Sequence, residues 1–289
     1  MFSYQHAFHA GNHADVLKHA VLWACLQHLM QKEGAVSVVD THAGIAVYDL
    51  QGSQAQASQE SVGGVLTLQQ QQADTMPELW AQYLQAVQQF QQAYGNSNLY
   101  PGSPALAAMS LRPQDRLNVF EVHPTDYRRL REWADSEPSA AKVNMWREDG
   151  FASLRRLLPP PERRGLVVCD PSYELKTDYD SVAATVEDAL RRFATGMMLV
   201  WMPLVARPQA HSLPRKLKTL AQKAGKPWVQ ALLQVHAGHA GALGGGLAGS
   251  SVWVVNPPYT LYEQLRTGLP YLVKVLGQDK SARFELTQG

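Results

Sequence analysis

Four consecutive residues, Asp170, Pro171, Ser172 and Tyr173, place the most chemistry in the shortest stretch of this chain. A carboxylate accepts hydrogen from an amino group, a prolyl turn presents a backbone carbonyl, and an aromatic ring offers a face to a flat partner. Side by side, these groups suit methylation of the exocyclic amine of adenine. Two acceptors take the two amine hydrogens and turn the nitrogen lone pair toward the methyl donor. Asp-Pro also occurs at ordinary strand exits, so the tetrapeptide needs a setting. A rival lies downstream: Asn256-Pro257-Pro258-Tyr259 fits an (Asn/Asp)-Pro-Pro-(Tyr/Phe) amine-methylation pattern more closely letter for letter.

The strands that precede each motif separate the two. Residues 165–169, Gly-Leu-Val-Val-Cys, read as a buried parallel strand that breaks at Pro171. Asp170 then lies at the carboxyl end of a central strand, where open α/β sheets bind ligands. Earlier strands are expected at 35–40, ending in Asp40 and running into Thr41-His42-Ala43-Gly44, at 117–121, ending in Glu121, and at 142–146, followed by Asp149-Gly150. Later ones are expected at 197–201, 229–235 and 251–256. The predicted fold is therefore α/β, a Rossmann-like sheet of seven mixed strands. Asp-Pro-Ser-Tyr follows strand four, the catalytic position when strands one to three carry cofactor loops. Asn-Pro-Pro-Tyr follows strand seven and is read as a terminating turn. The carboxylate of Glu121 is placed to take both hydroxyls of a ribose, and Asp149-Gly150 to lie along an adenine edge. One glycine, Gly44, in the first loop is too few for a pyrophosphate-binding fingerprint, which argues against NAD or FAD. S-Adenosyl-L-methionine has no pyrophosphate.

Composition narrows the class. The 289 residues suffice for one large domain or two, and net charge is only +1. The basic residues are unevenly spread. None falls between Glu33 and Leu111, while 24 of 26 follow Leu111, in clusters such as Arg128, Arg129 and Arg131, or Arg215, Lys216 and Lys218. Local patches of that kind suit phosphate backbones, although any one cluster is also what a solvated helix face looks like. Residues 51–104 carry 14 glutamines and an amphipathic helix beginning near Glu78, and are expected to form a small helical insertion; residues 1–50 and 105–289 then make the main domain. No apolar run is long enough to span a membrane, the opening residues lack a signal peptide's pattern, and Cys25 and Cys169 read as buried thiols, so a cytoplasmic protein is expected. The glycine-rich link at 238–249 lacks the Lys and Ser/Thr of a P-loop.

Asn12 is placed to cap a helix over residues 13–31, with an apolar stripe of Val16, Leu17, Ala20, Val21, Ala24 and Met30 flanked by Lys18 and His19. His6, His9 and His13 have metal-like spacing, but Gly11-Asn12 interrupts the face they would share and no cysteine joins them, so no metal site is expected.

Taken together, the motifs resemble a known family. The block from Ser3 to His19, Asp40–Gly44, Tyr100–Pro104, Glu121 with His123-Pro124 and Asp126-Tyr127, Asp149–Phe151, Asp170–Glu174, Thr177–Tyr179, Arg192–Gly196 and Asn256–Pro258 resemble, in order, the bacterial 23S rRNA adenine-N6 methyltransferases of the RlmJ family. The resemblance implies a monomeric enzyme that uses S-adenosyl-L-methionine to methylate N6 of one adenine in 23S rRNA. It implies cofactor contacts at His19, His42, Ser103, Glu121, Asp149, Gly150 and Asp170. Asp170 would be catalytic and Tyr4 would contact the RNA. In the mechanism expected from these residues, Pro171 supplies a carbonyl, Tyr173 stacks on the target base with Tyr4 or His6 near it, and Lys18 holds RNA phosphates. Two departures stand out: Ser172 replaces a second proline, and Ile45-Ala46 replaces a small, glycine-containing pair. The alternatives are a methyltransferase for DNA adenine or for a protein amide, a nucleic-acid-binding protein with a retired site, and, least favoured, a nicotinamide oxidoreductase.

Overall fold

The computed structural model describes residues 4–136, 141–238 and 247–289. In chain order, α1 (His13–Met30) precedes β1 (Ser37–Asp40) and β2 (Val47–Asp49); then come α2 (Ser53–Ser58), α3 (Thr67–Gln69), α4 (Glu78–Tyr94), β3 (Leu99–Pro101) and α5 (Ser103–Ser110). The remainder is β4 (Arg116–Phe120), α6 (Pro124–Ser136), β5 (Lys142–Trp146), α7 (Gly150–Ser153), β6 (Gly165–Cys169), α8 (Thr177–Arg192), β7 (Met197–Pro203), α9 (Pro208–Lys223), β8 (Trp228–Gln234), β9 (Gly249–Val255), α10 (Leu261–Leu276) and β10 (Arg283–Gln288).

Eight strands form one sheet in the order β10-β8-β9-β7-β6-β1-β4-β5. Neighbours from β5 to β7 are parallel, whereas β9 pairs antiparallel with β7 and β8, and β10 antiparallel with β8. β2 and β3 make a separate two-stranded pair. The sheet thus has one strand more than the seven expected. Arg283–Gln288 was missed because it is an edge strand with almost every side chain exposed, so it lacks the apolar alternation that marks a half-buried strand.

The chain leaves β1 toward β4 on one side, and β6 pairs with β1 on the other. That reversal opens a crevice at the carboxyl ends of β1, β4 and β6, the usual ligand position of an open parallel sheet. The two sheet faces carry different helices. One core holds α1, α4, α5 and α10 with one set of strand side chains; the other holds α8 and α9 with the opposite set, including Val39, Val167, Cys169 and Val200.

Asn12 caps α1, its side chain accepting from the backbone N–H groups of Ala14 (2.9 Å) and Asp15 (3.0 Å). The helix is not amphipathic as expected. It is buried nearly all round, because the sheet lies on one side and α4, α5 and α10 on the others, so Lys18 and His19 are interior residues. Leu79, Trp80, Tyr83, Leu84, Val87 and Phe90 of α4 enter the same continuous core as α1, and the Trp80 indole N–H donates to the carbonyl of Gly268 in α10 (2.8 Å). Most of the glycine-rich link between β8 and β9 lies outside the described residues. No described helix is long and apolar enough to cross a membrane.

Candidate functional site

A cavity of about 350 Å³ occupies the crevice. Its walls come from the carboxyl ends of three parallel strands, the start of α5, the N-terminal tail and α1. After β1 come Thr41, His42, Ala43 and Gly44; after β4, Glu121, Val122 and His123; after β6, Asp170, Pro171 and Ser172. Asp149, Gly150 and Phe151 close one side, and Tyr4, His6, Lys18, His19 and Ser103 another. Every residue expected at the site therefore lies at this cavity except Tyr173.

Tyr173 is 3% exposed. Its backbone takes a left-handed φ of 54°, which is costly for a bulky side chain and here turns the ring inward, against Tyr179 and Trp201. Its hydroxyl donates to the carbonyl of Trp201 at 2.6 Å. It cannot offer a stacking face to a ligand, contrary to expectation. The exposed aromatic ring at the cavity is that of Tyr4, 37% exposed and stacked on His9 with 5.4 Å between centroids.

Lys18 also differs from expectation. It was placed on RNA phosphates, yet it is 4% exposed, with its ammonium 2.8 Å from Oδ1 of Asp15 and 2.6 Å from Oδ2 of Asp170. Burial opposes its charge, but the two carboxylates outweigh burial and hold the ammonium protonated far above neutrality. A point cation held between two anions fixes the orientation of Asp170 and leaves Oδ1 of that residue for another donor. Asp15 in turn accepts from the Gly11 N–H at 2.9 Å and from the His6 imidazole at 3.0 Å, and the Tyr4 hydroxyl lies 2.7 Å from the other nitrogen of His6. Burial alone would raise the Asp15 carboxyl; His6 and Lys18 hold it well below the usual range. From sequence Asp15 reads only as a first-turn acid near the histidines and not as a site residue, although it sits three residues before Lys18 and four before His19 on one helix, the spacing at which side chains meet.

The rest of the wall fits an adenosine bearing an amino-acid tail. Each oxygen of Glu121 accepts one backbone N–H, from Gly44 at 3.0 Å and His123 at 2.7 Å, and each keeps a lone pair for a ribose hydroxyl. Burial raises the Glu121 carboxyl, with those two N–H groups opposing. Asp149 accepts from the Phe151 N–H at 2.9 Å, and its other oxygen can take an adenine amine. Phe151 meets the His42 ring edge-on at 4.7 Å. His19 is 1% exposed; one imidazole nitrogen bonds the Tyr100 hydroxyl at 2.7 Å, while Nε2 is buried without a hydrogen-bond partner, Oδ1 of Asp15 standing 3.8 Å away. An unsatisfied polar atom at a cavity wall is a place for a ligand group. Burial pushes the His19 imidazole down to about 3, so it is neutral. Ser103 opens α5, whose first backbone N–H groups lack intrahelical partners and whose positive end favours a carboxylate.

The departures from the family pattern also have positions. Ala46 adopts a left-handed φ of 65°, the conformation a glycine would take without strain. Ser172 lines the cavity, half-buried. Asn256 directs its side-chain amide to the carbonyls of Ala194 (3.1 Å) and Gly196 (2.7 Å), and Tyr259 is 81% exposed, so Asn-Pro-Pro-Tyr stands apart from the residues that line the cavity. The histidines of the N-terminal segment have other partners: His9 pairs with Glu60 at 3.0 Å and His13 with the Leu247 carbonyl at 2.8 Å. Among the described residues no metal-like cluster of His, Cys, Asp or Glu occurs.

Comparison with known proteins agrees with this geometry. The sequence model of the family described as "Ribosomal RNA large subunit methyltransferase D, RlmJ" matches residues 33–286. The chain is 39% identical over 280 residues to the ribosomal RNA large subunit methyltransferase J of Haemophilus influenzae, covering 96% of this chain and 94% of that one. It is 38% identical over 273 residues to the protein of the same name from Escherichia coli, covering 94% and 93%. A crystal structure of a Legionella pneumophila protein, 32% identical, superposes with a TM-score of 0.84 over 97% of this chain and 98% of that one. The strand-end carboxylates, the pairing of buried Lys18 with Asp170 and this similarity along nearly the whole chain lead to one assignment: the chain belongs to the RlmJ family of S-adenosylmethionine-dependent ribosomal RNA large subunit methyltransferases.

Proposed function

We propose that this protein methylates N6 of one adenine in 23S ribosomal RNA, acting as a monomer in the cytoplasm. One observation carries the reading: Asp170 and Pro171 sit together at the carboxyl end of β6, at the wall of the cavity, with the Asp170 carboxylate fixed by buried Lys18. S-Adenosylmethionine supplies an electrophilic methyl group when bound. Glu121 and Asp149 are placed to hold its nucleoside, and His19, His42 and Ser103 its amino-acid end.

The protein's own residues then arrange the amine. An adenine swung out of its stack reaches the cavity past the exposed Tyr4 ring, which offers it a face. Oδ1 of Asp170 and the carbonyl of Pro171 accept hydrogen bonds from the two N6 hydrogens, and the Asp170 carboxylate takes the one proton that the methylated amine loses. This removes the lone pair from conjugation with the ring and points it at the methyl group, and it stabilises the positive charge that develops on nitrogen. Catalysis is then mostly alignment. Lys18 acts through Asp170, by holding it.

The test is mass spectrometry of 23S rRNA from cells that lack the protein. One N6-methyladenine should disappear, return with the wild-type protein, and stay absent with Asp170→Ala, which should still bind S-adenosylmethionine by calorimetry. Full methylation by Asp170→Ala, or no change in the rRNA, would overturn the assignment.

A further inference from the structure

A second concavity of about 100 Å³ opens beside the first and shares His6, Tyr48, His123 and Asp126 with it. The outlined reaction gives it no task. Its remaining walls come from four separate parts of the chain, one of them the loop after β1 that carries Ile45. Gln5 belongs to the N-terminal tail, Gln54 to α2 of the glutamine-rich 51–104 stretch, and Arg129 to α6. The Gln54 side-chain amide donates to the Gln5 side-chain carbonyl, so the tail and the insertion meet here. Ile45 gives the pocket an apolar wall. Arg129 is exposed, and no ion pair or side-chain hydrogen bond ties it down among the described residues.

The chemistry of these walls is that of base-edge reading. Side-chain amides carry a donor and an acceptor together and pair with adenine in two hydrogen bonds, and a carboxylate accepts from an exocyclic amine. Asp126, whose Oδ1 stands 3.7 Å from Nδ1 of His123, adds a carboxylate acceptor to the pocket, whereas Arg129 offers a phosphate a cation. The pocket is less than a third the volume of the main cavity, which suits a single base edge rather than a nucleoside with a tail. Because the two concavities share walls, a strand whose target base enters the first delivers its immediate neighbour to the second.

We infer that the second concavity is a specificity subsite for the nucleotide adjacent to the methylated one. Gln5, Gln54 and Asp126 read its base, preferring adenine or cytosine over uracil, which has no exocyclic amine, and Arg129 holds its phosphate. This inference rests on the proposed RNA-methylating reading of the main cavity.

The test uses the full-length protein and transcripts of 23S rRNA carrying each of the four nucleotides on either side of the methylated adenine. On one side, adenine or cytosine should exceed uracil by about tenfold or more in kcat/KM for the wild type. Gln54→Ala should abolish that discrimination, bringing the favoured transcript down to the rate of the disfavoured one, while its affinity for S-adenosylmethionine in calorimetry is unchanged. Gln5→Ala should do the same from the opposite wall. Arg129→Gln should weaken binding of every transcript alike and reduce the salt dependence of binding by about one unit. A wild type indifferent to both neighbours, or a Gln54→Ala enzyme that keeps the wild-type preference, overturns the subsite while the main reaction stands. Absence of N6-methyladenine on every transcript and on rRNA from cells overturns both.

Discussion

Lys18 is an unusual residue to find inside an enzyme, and its burial carries a cost that only its partners offset. Its charge is satisfied by Asp15 and Asp170 together. Lys18→Met would leave two carboxylates without their common cation. Breaking a buried pair in this way costs about 3–5 kcal/mol. The expected outcome is a loss of that order in urea unfolding, with methyl transfer falling far more than cofactor affinity. Retention of wild-type stability and rate would show that Asp170 needs no anchor. His19 makes a second residue-scale prediction. Burial holds its folded pKa at about 3, below the value near 6.5 of an unfolded histidine. A depressed base contributes stability that is complete above about pH 6.5 and is lost as pH falls toward 3, because only the unfolded chain takes up the proton. Asp40, raised to about 6 mainly by burial, acts in the opposite sense between about pH 4 and 6. The comparison must therefore be between variants: His19→Gln should flatten the acid limb of the melting temperature against pH, and an unchanged limb would contradict the assignment.

Among the elements, the contact between the β1 loop and the start of α7 decides the shape of the cavity. A Cβ on Gly150 would stand 2.2 Å from the Thr41 carbonyl oxygen, which is backbone and cannot swing aside. Gly150→Ala must push Asp149 and Phe151 away from Thr41 and His42. It is expected to weaken S-adenosylmethionine binding at least about tenfold, a little over 1 kcal/mol, with a lower melting temperature. Calorimetric titration checks it, and unaltered affinity would mean that this wall does not touch the cofactor. The same scale explains why Lys18 and His19 were read as flanking an apolar stripe. A stripe is what a helix shows when one face meets the sheet. α1 also meets α4, α5 and α10, and contacts from elements far away in sequence leave little trace in the helix's own periodicity.

Across the whole molecule, the 51–104 stretch is tied to the main sheet by shared core rather than by a hinge. Trp80 is fully buried and bonds α10, and its helix packs on α1, which itself carries Asp15, Lys18 and His19. Trp80→Ala should cost about 3–5 kcal/mol. It should shift one cooperative transition rather than create two; separate melting of the insertion would refute the shared core. This long-range packing marks the limit of what could be read from the chain alone. Strand ends bearing Asp40, Glu121 and Asp170, the turn at Pro171, and the order of the motifs were legible because short apolar runs, breakers and acids are local signals. The choice of Asp-Pro-Ser-Tyr over Asn-Pro-Pro-Tyr came from the same counting. The inward turn of Tyr173, the interior position of Lys18, the exposed eighth strand at Arg283–Gln288 and the second concavity between Gln5, Gln54 and Arg129 were not legible. Each depends on a left-handed backbone step, on burial by distant helices or on segments that meet only when folded. Which chemical groups stand at the ends of which strands can be read along the chain. Which of them face a ligand cannot, because burial and direction are set by neighbours that the local pattern does not contain.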